Sequence, residues 1–285
     1  MMIEKNRSMF STLIEYIRAT YRSILVLSII TVSIAISLVL AGVMIPFSRS
    51  QYLMYNTRYV LQNTAKLILV VIGIKVLRDQ SVNRNDTIFA SNHWGYIDSL
   101  LLMSLSPCLV ISSSEVRRMP IVGFVMSTMG FFFVDRGNKR SIPAIIEKAT
   151  SVADSTGLNL AFFPEGGTGD GHSLRPFHPS FFEIAKRVDY SVQPVALNIV
   201  AIDHQNVTPQ NINKVVFHGP ELSEISVIQH IVQLLRIKTI DITVNVLQDI
   251  PFGEIKERDL TRKDICEKCE TAIQYNYTTS IGEGF

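Results

Sequence analysis

Apolar residues fall along the chain in two regimes. From Ile24 to Phe47 no charged residue interrupts a run of Ile, Leu, Val, Ser and Ala. That run exceeds the roughly 20 residues a helix needs to cross a bilayer. A secretory signal has a shorter apolar core and a small-residue cleavage site. The run therefore reads as an uncleaved membrane anchor, with a buried helix of a soluble domain as the alternative. A second apolar run, Leu67 to Ile74, lies between Lys66 and Lys75 and extends back towards Tyr59. It is too short to span comfortably and suits an interfacial or re-entrant helix, or a core helix.

From about Val76 the pattern changes to short apolar strands alternating with amphipathic segments. Strands are expected at Thr87–Ser91, Leu109–Ser112, Phe131–Val134, Leu158–Phe163, Ser191–Ile199, Lys214–His218 and Ile242–Val246. Helices are expected at Pro143–Ala153, Ser180–Val188, Ser226–Leu235 and Arg262–Ile273, and Asp203–Asn213 reads as a loop. Such alternation predicts an α/β fold with a partly parallel sheet flanked by helices. The expected division is a membrane-anchoring helix or helical hairpin over residues 1–75, then one α/β domain over 76–285.

Composition narrows the functional classes. The chain is 47% hydrophobic and 18% charged, with a net charge of +2. No basic stripe with interleaved aromatics is present, so a nucleic-acid partner is not expected. Lys5, Arg7, Arg18 and Arg22 precede the anchor, and Arg49, Arg58 and Lys66 follow it. With basic flanks on both sides the positive-inside rule favours neither orientation, and such flanks also suit a hairpin dipping into one anionic leaflet. Three cysteines, Cys108, Cys266 and Cys269, are too few for a disulfide scaffold. Cys266 and Cys269 read as two residues on one helical face in a reduced, cytosol-facing domain. Six histidines (His93, His172, His178, His204, His218 and His230) show no metal-ligand spacing, so no metal is expected. No Gly-x-Ser-x-Gly elbow exists, which argues against an α/β hydrolase.

Candidate chemistry lies in four blocks. The first holds His93 and Asp98, five residues apart in Asn92-His93-Trp94-Gly95-Tyr96-Ile97-Asp98. On one continuous helix those side chains would diverge by roughly 140°. They meet only if the chain turns after the strand Thr87–Ser91, and Asn92 and Gly95 are suitable turn residues. A histidine oriented by a carboxylate is a general base for an alcohol near neutral pH, although a hydrogen-bonded surface turn has the same spacing. In the second block a strand ends in Asp135-Arg136-Gly137, presenting a guanidinium fork suited to phosphate or carboxylate, or a plain surface pair at a hairpin end. In the third, Phe163-Pro164-Glu165 runs into Gly166-Gly167-Thr168-Gly169-Asp170-Gly171, a permissive backbone whose amides can approach an anion. No dinucleotide or phosphate-loop register fits it. In the fourth, Pro194 within Val192–Ala196 predicts an edge or bulged strand.

In this order the blocks resemble the glycerolipid acyltransferase family, in particular the lysophosphatidic acid acyltransferases. That family carries Asn-His-x4-Asp, Gly-x-x-Phe-x-x-Arg, Phe-Pro-Glu-Gly and Val-x-Pro-Val blocks. Here they stand at Asn92–Asp98, Gly130–Arg136, Phe163–Gly166 and Val192–Val195, within roughly residues 75 to 200. The resemblance implies a membrane-bound lysolipid O-acyltransferase that moves a fatty acyl group from acyl-CoA or acyl-carrier protein to a lysolipid hydroxyl. The leading acceptor is 1-acyl-glycerol-3-phosphate. His93 would be the base, Asp98 its orienter, and Arg136, Glu165, Gly166, Gly167 and Thr168 the acceptor site. No cofactor is implied beyond the acyl thioester as co-substrate. The expected setting is the inner or cytoplasmic membrane, among membrane lipids, with the catalytic domain facing the cytosol.

The chain departs from the family pattern at three places. Gly95 stands where serine is common, Gly169 replaces the arginine that usually follows Gly-Thr, and His178 replaces a lysine. The Gly169-Asp170-Gly171 continuation followed by Arg175-Pro176-Phe177 looks more like a subgroup that acylates lyso-ornithine lipids. A lyso-ornithine lipid O-acyltransferase is therefore the alternative. From another class, a noncatalytic membrane lipid-binding protein of the same fold is the second alternative.

Overall fold

The structure is a computed structural model that describes residues 2–78, 85–114, 117, 123, 126–127, 131–135, 139–217 and 225–277. Its centre is a mixed sheet of β1 (Ile74–Arg78), β2 (Thr87–Ser91), β3 (Cys108–Ser113), β4 (Phe132–Val134), β5 (Asn159–Phe162), β6 (Ser191–Ile202) and β8 (Ile240–Val246). They lie in the order β1-β8-β6-β2-β5-β3-β4, and a two-residue strand β7 (Gln205–Asn206) pairs with β6. From β6 to β4 the neighbours run parallel. β8 is antiparallel to β6 and parallel to β1, so the last two strands run against the rest. β2 is buried at every position. That explains its unbroken apolar reading, since a parallel strand covered on both faces has no polar side.

The helices are α1 (Met2–Met44), α2 (Arg49–Tyr55), α3 (Gln62–Ile72), α4 (Tyr96–Leu105), α5 (Ile142–Thr156), α6 (Pro209–Ile212), α7 (Val227–Arg236), α8 (Phe252–Glu257) and α9 (Arg262–Asn276). A π-helical turn, Asn56–Leu61, joins α2 to α3, and a 3-10 helix occupies Pro179–Lys186 where an α-helix is expected. Ser226 and Thr261 cap α7 and α9 through reciprocal boxes with Gln229 and Asp264. Cys108, Cys266 and Cys269 are buried free thiols. Burial pushes the Cys266 thiol up to about 11, so it is not a reactive group at neutral pH.

Four expectations need correction. Lys214 and Val215 lie in a turn that prolongs α6, with Val215 and Val216 donating to the Ile212 carbonyl, and not in a strand; His218 lies outside the described residues. A short buried apolar run has no period that separates strand from turn. The Asp203–Asn213 loop holds β7 and α6. α4 carries no amphipathic signal because it is apolar almost all round, and Ile74 begins β1 instead of ending the preceding helix. Pro194, finally, lies in a central strand, between β2 and β8, and not at an edge; the bulge offered as the alternative does occur in this strand, further along, between Ile199 and Ala201. Its missing N–H faces the side where β8 has ended: Leu247 donates to the Pro194 carbonyl, and the Gln193 side-chain amide donates to the Leu247 carbonyl in place of the absent N–H.

The N-terminal helices share their core with the sheet. Ala19, Leu61, Ala65, Ile68, Leu69 and Ile72 belong to the same buried cluster as Phe89, Trp94 and Leu101. Over Phe10–Met44, α1 is long and apolar enough to cross a membrane, and only 11% of its most apolar window is buried. The buried stripe is polar at its start. Arg22 donates to the carbonyls of Leu235, Ile237 and Lys238. Arg18 donates to that of Arg236 at 2.6 Å, and Glu15 pairs with the Arg236 guanidinium at 2.7 Å. Cations on the end of α7 satisfy carbonyls that the helix itself leaves open. Further along, Ser33 bonds Thr64 at 2.6 Å and Ser37 donates to Asn56 at 2.7 Å. Gly73 closes α3 at φ +84°, and a Cβ there would collide with the Lys238 carbonyl and the Arg22 guanidinium.

Arg22→Ala leaves three carbonyls with one donor removed, and should lower unfolding stability by about 2–4 kcal/mol. Thermal denaturation of the full chain in detergent measures it; an unchanged midpoint contradicts the docking of α1.

Candidate active site

The site forms where β2 and β5 end side by side. Their register pairs Ala90 with Phe162, so the residues after each strand emerge together at one edge of the sheet. Crevices at the carboxyl ends of parallel strands are the usual place for ligands in open α/β sheets. Asn92, buried, fixes the exit of β2. Its side-chain amide donates to the Leu197 carbonyl at 3.1 Å and accepts from the Leu197 N–H at 2.8 Å, extending the ladder to β6 by a side chain.

His93 follows in an irregular turn, and α4 begins two residues after Trp94. The turn brings Nδ1 of His93 to 2.7 Å from Oδ2 of Asp98. The same oxygen accepts the N–H of Trp94 and, at 2.9 Å, that of Gly95. Asp98 is fully buried at the first turn of α4, where unpaired amides and the helix dipole stabilise negative charge. A carboxylate holding Nδ1–H leaves Nε2 of the imidazole as the lone-pair nitrogen. Phe163 stacks on the ring at 4.1 Å between centroids and 11° between planes. The His93 side chain remains 14% exposed, open enough to meet a substrate.

The loop after β5 wraps the backbone of His93. Oε1 of Glu165 accepts the His93 N–H at 2.6 Å, and Oε2 accepts the Arg175 N–H at 3.0 Å. Gly169 donates its N–H to the His93 carbonyl at 2.7 Å. Gly169 is at a close approach: a Cβ there would lie 3.3 Å from Oε2 of Glu165 and 3.5 Å from the His93 carbonyl. A side chain there would need the Glu165 carboxylate to give by a few tenths of an ångström. Burial, partly offset by the two backbone bonds, pushes the Glu165 carboxyl up to about 7. Gly166 is exposed at φ +67° and donates to Phe163, Gly167 is buried, and Thr168 is half-buried with its carbonyl accepting from the Arg175 guanidinium at 3.3 Å.

Six of the seven expected site residues thus converge: His93, Asp98, Glu165, Gly166, Gly167 and Thr168. Arg136, with Gly130, lies outside the described residues. Contacts beyond the expected set are the Phe163 stack, the Asn92 bridge, the Trp94 and Gly95 amides on Asp98, and the bond from the Trp94 indole to the Tyr277 hydroxyl at 3.2 Å. Phe163 and Asn92 stand inside the four sequence blocks; Tyr277, distant in sequence, carries no local signal.

The class of site is thus a histidine oriented by a buried carboxylate, beside a glycine-rich loop at the carboxyl ends of parallel strands in a mixed α/β sheet. Residues 73–198 match the family described as Acyltransferase. A lyso-ornithine lipid O-acyltransferase from Pseudomonas aeruginosa is 28% identical over 180 residues, covering 63% of this chain and 65% of that protein. A 1-acyl-sn-glycerol-3-phosphate acyltransferase from Neisseria gonorrhoeae is 30% identical over 126 residues, covering 44% and 49%. The crystal structure of the 1-acyl-sn-glycerophosphate (LPA) acyltransferase PlsC from Thermotoga maritima has the same fold, with a TM-score of 0.62 at 15% identity over 96% of this chain and 95% of that one. The chain spans between about half and about two thirds of the length of the curated relatives it matches. Over residues 73–198, somewhat less than half of its length, the chain is similar to the glycerolipid acyltransferases.

Glu165 binds its proton more tightly folded, near 7, than unfolded, where a carboxyl titrates near 4.5. Between those values the native state holds a proton that the unfolded chain releases, so stability falls as pH rises through the window. The slope reaches at most about 1.4 kcal/mol per pH unit. Glu165→Gln should remove this component; parallel midpoint-against-pH curves for variant and wild type would contradict the shift.

Proposed function

We propose that the protein is a membrane-bound lysolipid O-acyltransferase in which His93 is the general base. The observation that carries the reading is the 2.7 Å pair of His93 Nδ1 and Asp98 Oδ2, which leaves Nε2 as the lone-pair nitrogen of a partly exposed ring. Nε2 takes the proton of the lysolipid hydroxyl as its oxygen attacks the carbonyl carbon of an acyl-CoA or acyl-carrier-protein thioester. A C–O bond forms, the C–S bond breaks, and the departing thiolate receives the proton from the imidazolium. The products are the ester and the free thiol, and no residue of the chain is acylated. Base assistance of this kind contributes on the order of 10² to 10⁴ in rate.

The oxyanion falls to the amides of Gly167 and Thr168. Those of Gly166 and Gly169 are committed to the carbonyls of Phe163 and His93, whereas Gly167 and Thr168 show no such bond among the described residues. Arg136 is assigned to the acceptor headgroup with Gly166. The apolar α1 keeps the site at the membrane, residues 1–75 serving as the anchoring part and 76–285 as the catalytic part, facing the cytosol. 1-Acyl-glycerol-3-phosphate is the leading acceptor. The second reading, a lyso-ornithine lipid, is favoured by Gly169 in place of the loop arginine and by the longer match to the Pseudomonas protein.

Purified protein in detergent, given labelled acyl-CoA or acyl-carrier protein, should esterify one of the two lysolipids offered separately. Asp98→Asn, which spoils the tautomer of His93, should lower that rate by on the order of 10² to 10⁴. Incorporation into neither acceptor would favour a noncatalytic lipid-binding protein.

A further inference from the structure

We propose that Glu165 is a positioning residue: its carboxylate clasps the backbone of the base and does not bind the acceptor. This rests on the reading of His93 as the base. A carboxylate that serves as a ligand must show an oxygen to the incoming hydroxyl. Both oxygens of Glu165 instead accept backbone N–H groups, from His93 at 2.6 Å and from Arg175 at 3.0 Å, and the residue is 2% exposed. Each oxygen keeps a second lone pair, but only 2% of the residue's surface is left through which an acceptor could reach it.

The clasp is two-sided. Glu165 takes the N–H of the His93 peptide unit while Gly169, four residues on, donates to the His93 carbonyl at 2.7 Å. The backbone of the base is therefore set by the loop after β5, and its ring by Asp98 and Phe163. Two converging N–H donors explain why a carboxylate stands here. A glutamine would offer one acceptor and oppose an NH₂ to the second donor, whereas an ionised carboxylate accepts both in shorter, charge-assisted bonds. The same oxygens join His93 to the arm that carries Arg175, whose guanidinium returns to the Thr168 carbonyl. Small displacements of a base are costly to rate, so a loop that fixes the peptide of His93 on both sides serves catalysis without touching substrate. Among the described residues, the charged and titratable groups acting on Glu165 are His93 and Asp98 beyond β2, Arg175 on the returning arm, and Tyr277 beyond α9. Burial pushes the Glu165 carboxyl up to about 7, so acidification through that value exchanges charge-assisted bonds for weaker neutral ones.

Two measurements on the full chain in detergent test this. For Glu165→Ala and Glu165→Gln, kcat should fall, by on the order of 10²-fold for alanine and less for glutamine, which keeps one acceptor. KM for lysolipid and for thioester should stay within about threefold. A KM for the lysolipid raised tenfold or more with kcat kept would overturn the proposal, since that is the behaviour of a binding residue. The second readout needs no turnover. In histidine-¹⁵N-labelled protein at alkaline pH, with the carboxyl ionised, the His93 amide, identified by its loss in His93→Ala, should lie downfield as a donor to a carboxylate and move upfield in Glu165→Ala. An amide unmoved by Glu165→Ala overturns the clasp whatever the activity. An amide that moves, in a protein that esterifies neither lysolipid, keeps the clasp and defeats the functional reading.

Discussion

One carboxylate oxygen organises the site. Oδ2 of Asp98 collects the Nδ1–H of His93 and the amides of Trp94 and Gly95 at the first turn of α4. The constraint is electrostatic as much as geometric. A fully buried carboxylate is tolerable only where donors converge on it, and a helix N-terminus supplies them without a counter-ion. The five-residue spacing follows from that requirement. The chain leaves β2, presents His93, turns through Gly95 and delivers Asp98 as the third helical residue, facing back at the ring. A spacing set for one helical face would have placed the carboxylate outside the crevice.

The sheet then supplies the second half. β2 and β5 are parallel neighbours, so the loop after β5 necessarily emerges beside His93. Glu165 and Gly169 use this proximity to hold the peptide of His93 on both sides, and β6 holds the preceding residue through Asn92. The α1 helix meets this framework through charged groups near its start and small polar groups further on, with apolar side chains such as Leu27, Val39 and Val43 outward. One long helix thus presents an apolar face while staying docked to the fold that carries the site.

Much of this is legible in the residues. Thr87–Ser91 reads as a buried strand because a two-sided parallel strand has no polar alternation, and the turn before Asp98 follows from the impossibility of meeting across a continuous helix. The elements that escape do so for physical reasons. α4 has no polar face to reveal its period, and Val215–Phe217 is a buried turn with a strand's composition. Pro194 reads as an edge or bulge residue because its missing donor is visible in the sequence, while the Gln193 amide that stands in for it requires the partner strand to be seen. Glu165 is legible as a site residue, but its backbone partners, one 72 residues away, are not.

The most direct measurement compares initial rates of ester formation by wild type and His93→Ala on the same micelles of lysolipid and labelled acyl thioester. With His93 as the base of direct transfer, the variant loses on the order of 10² to 10⁴ in rate while still binding the micelles. Transfer by His93→Ala at a rate comparable to wild type would contradict the mechanism.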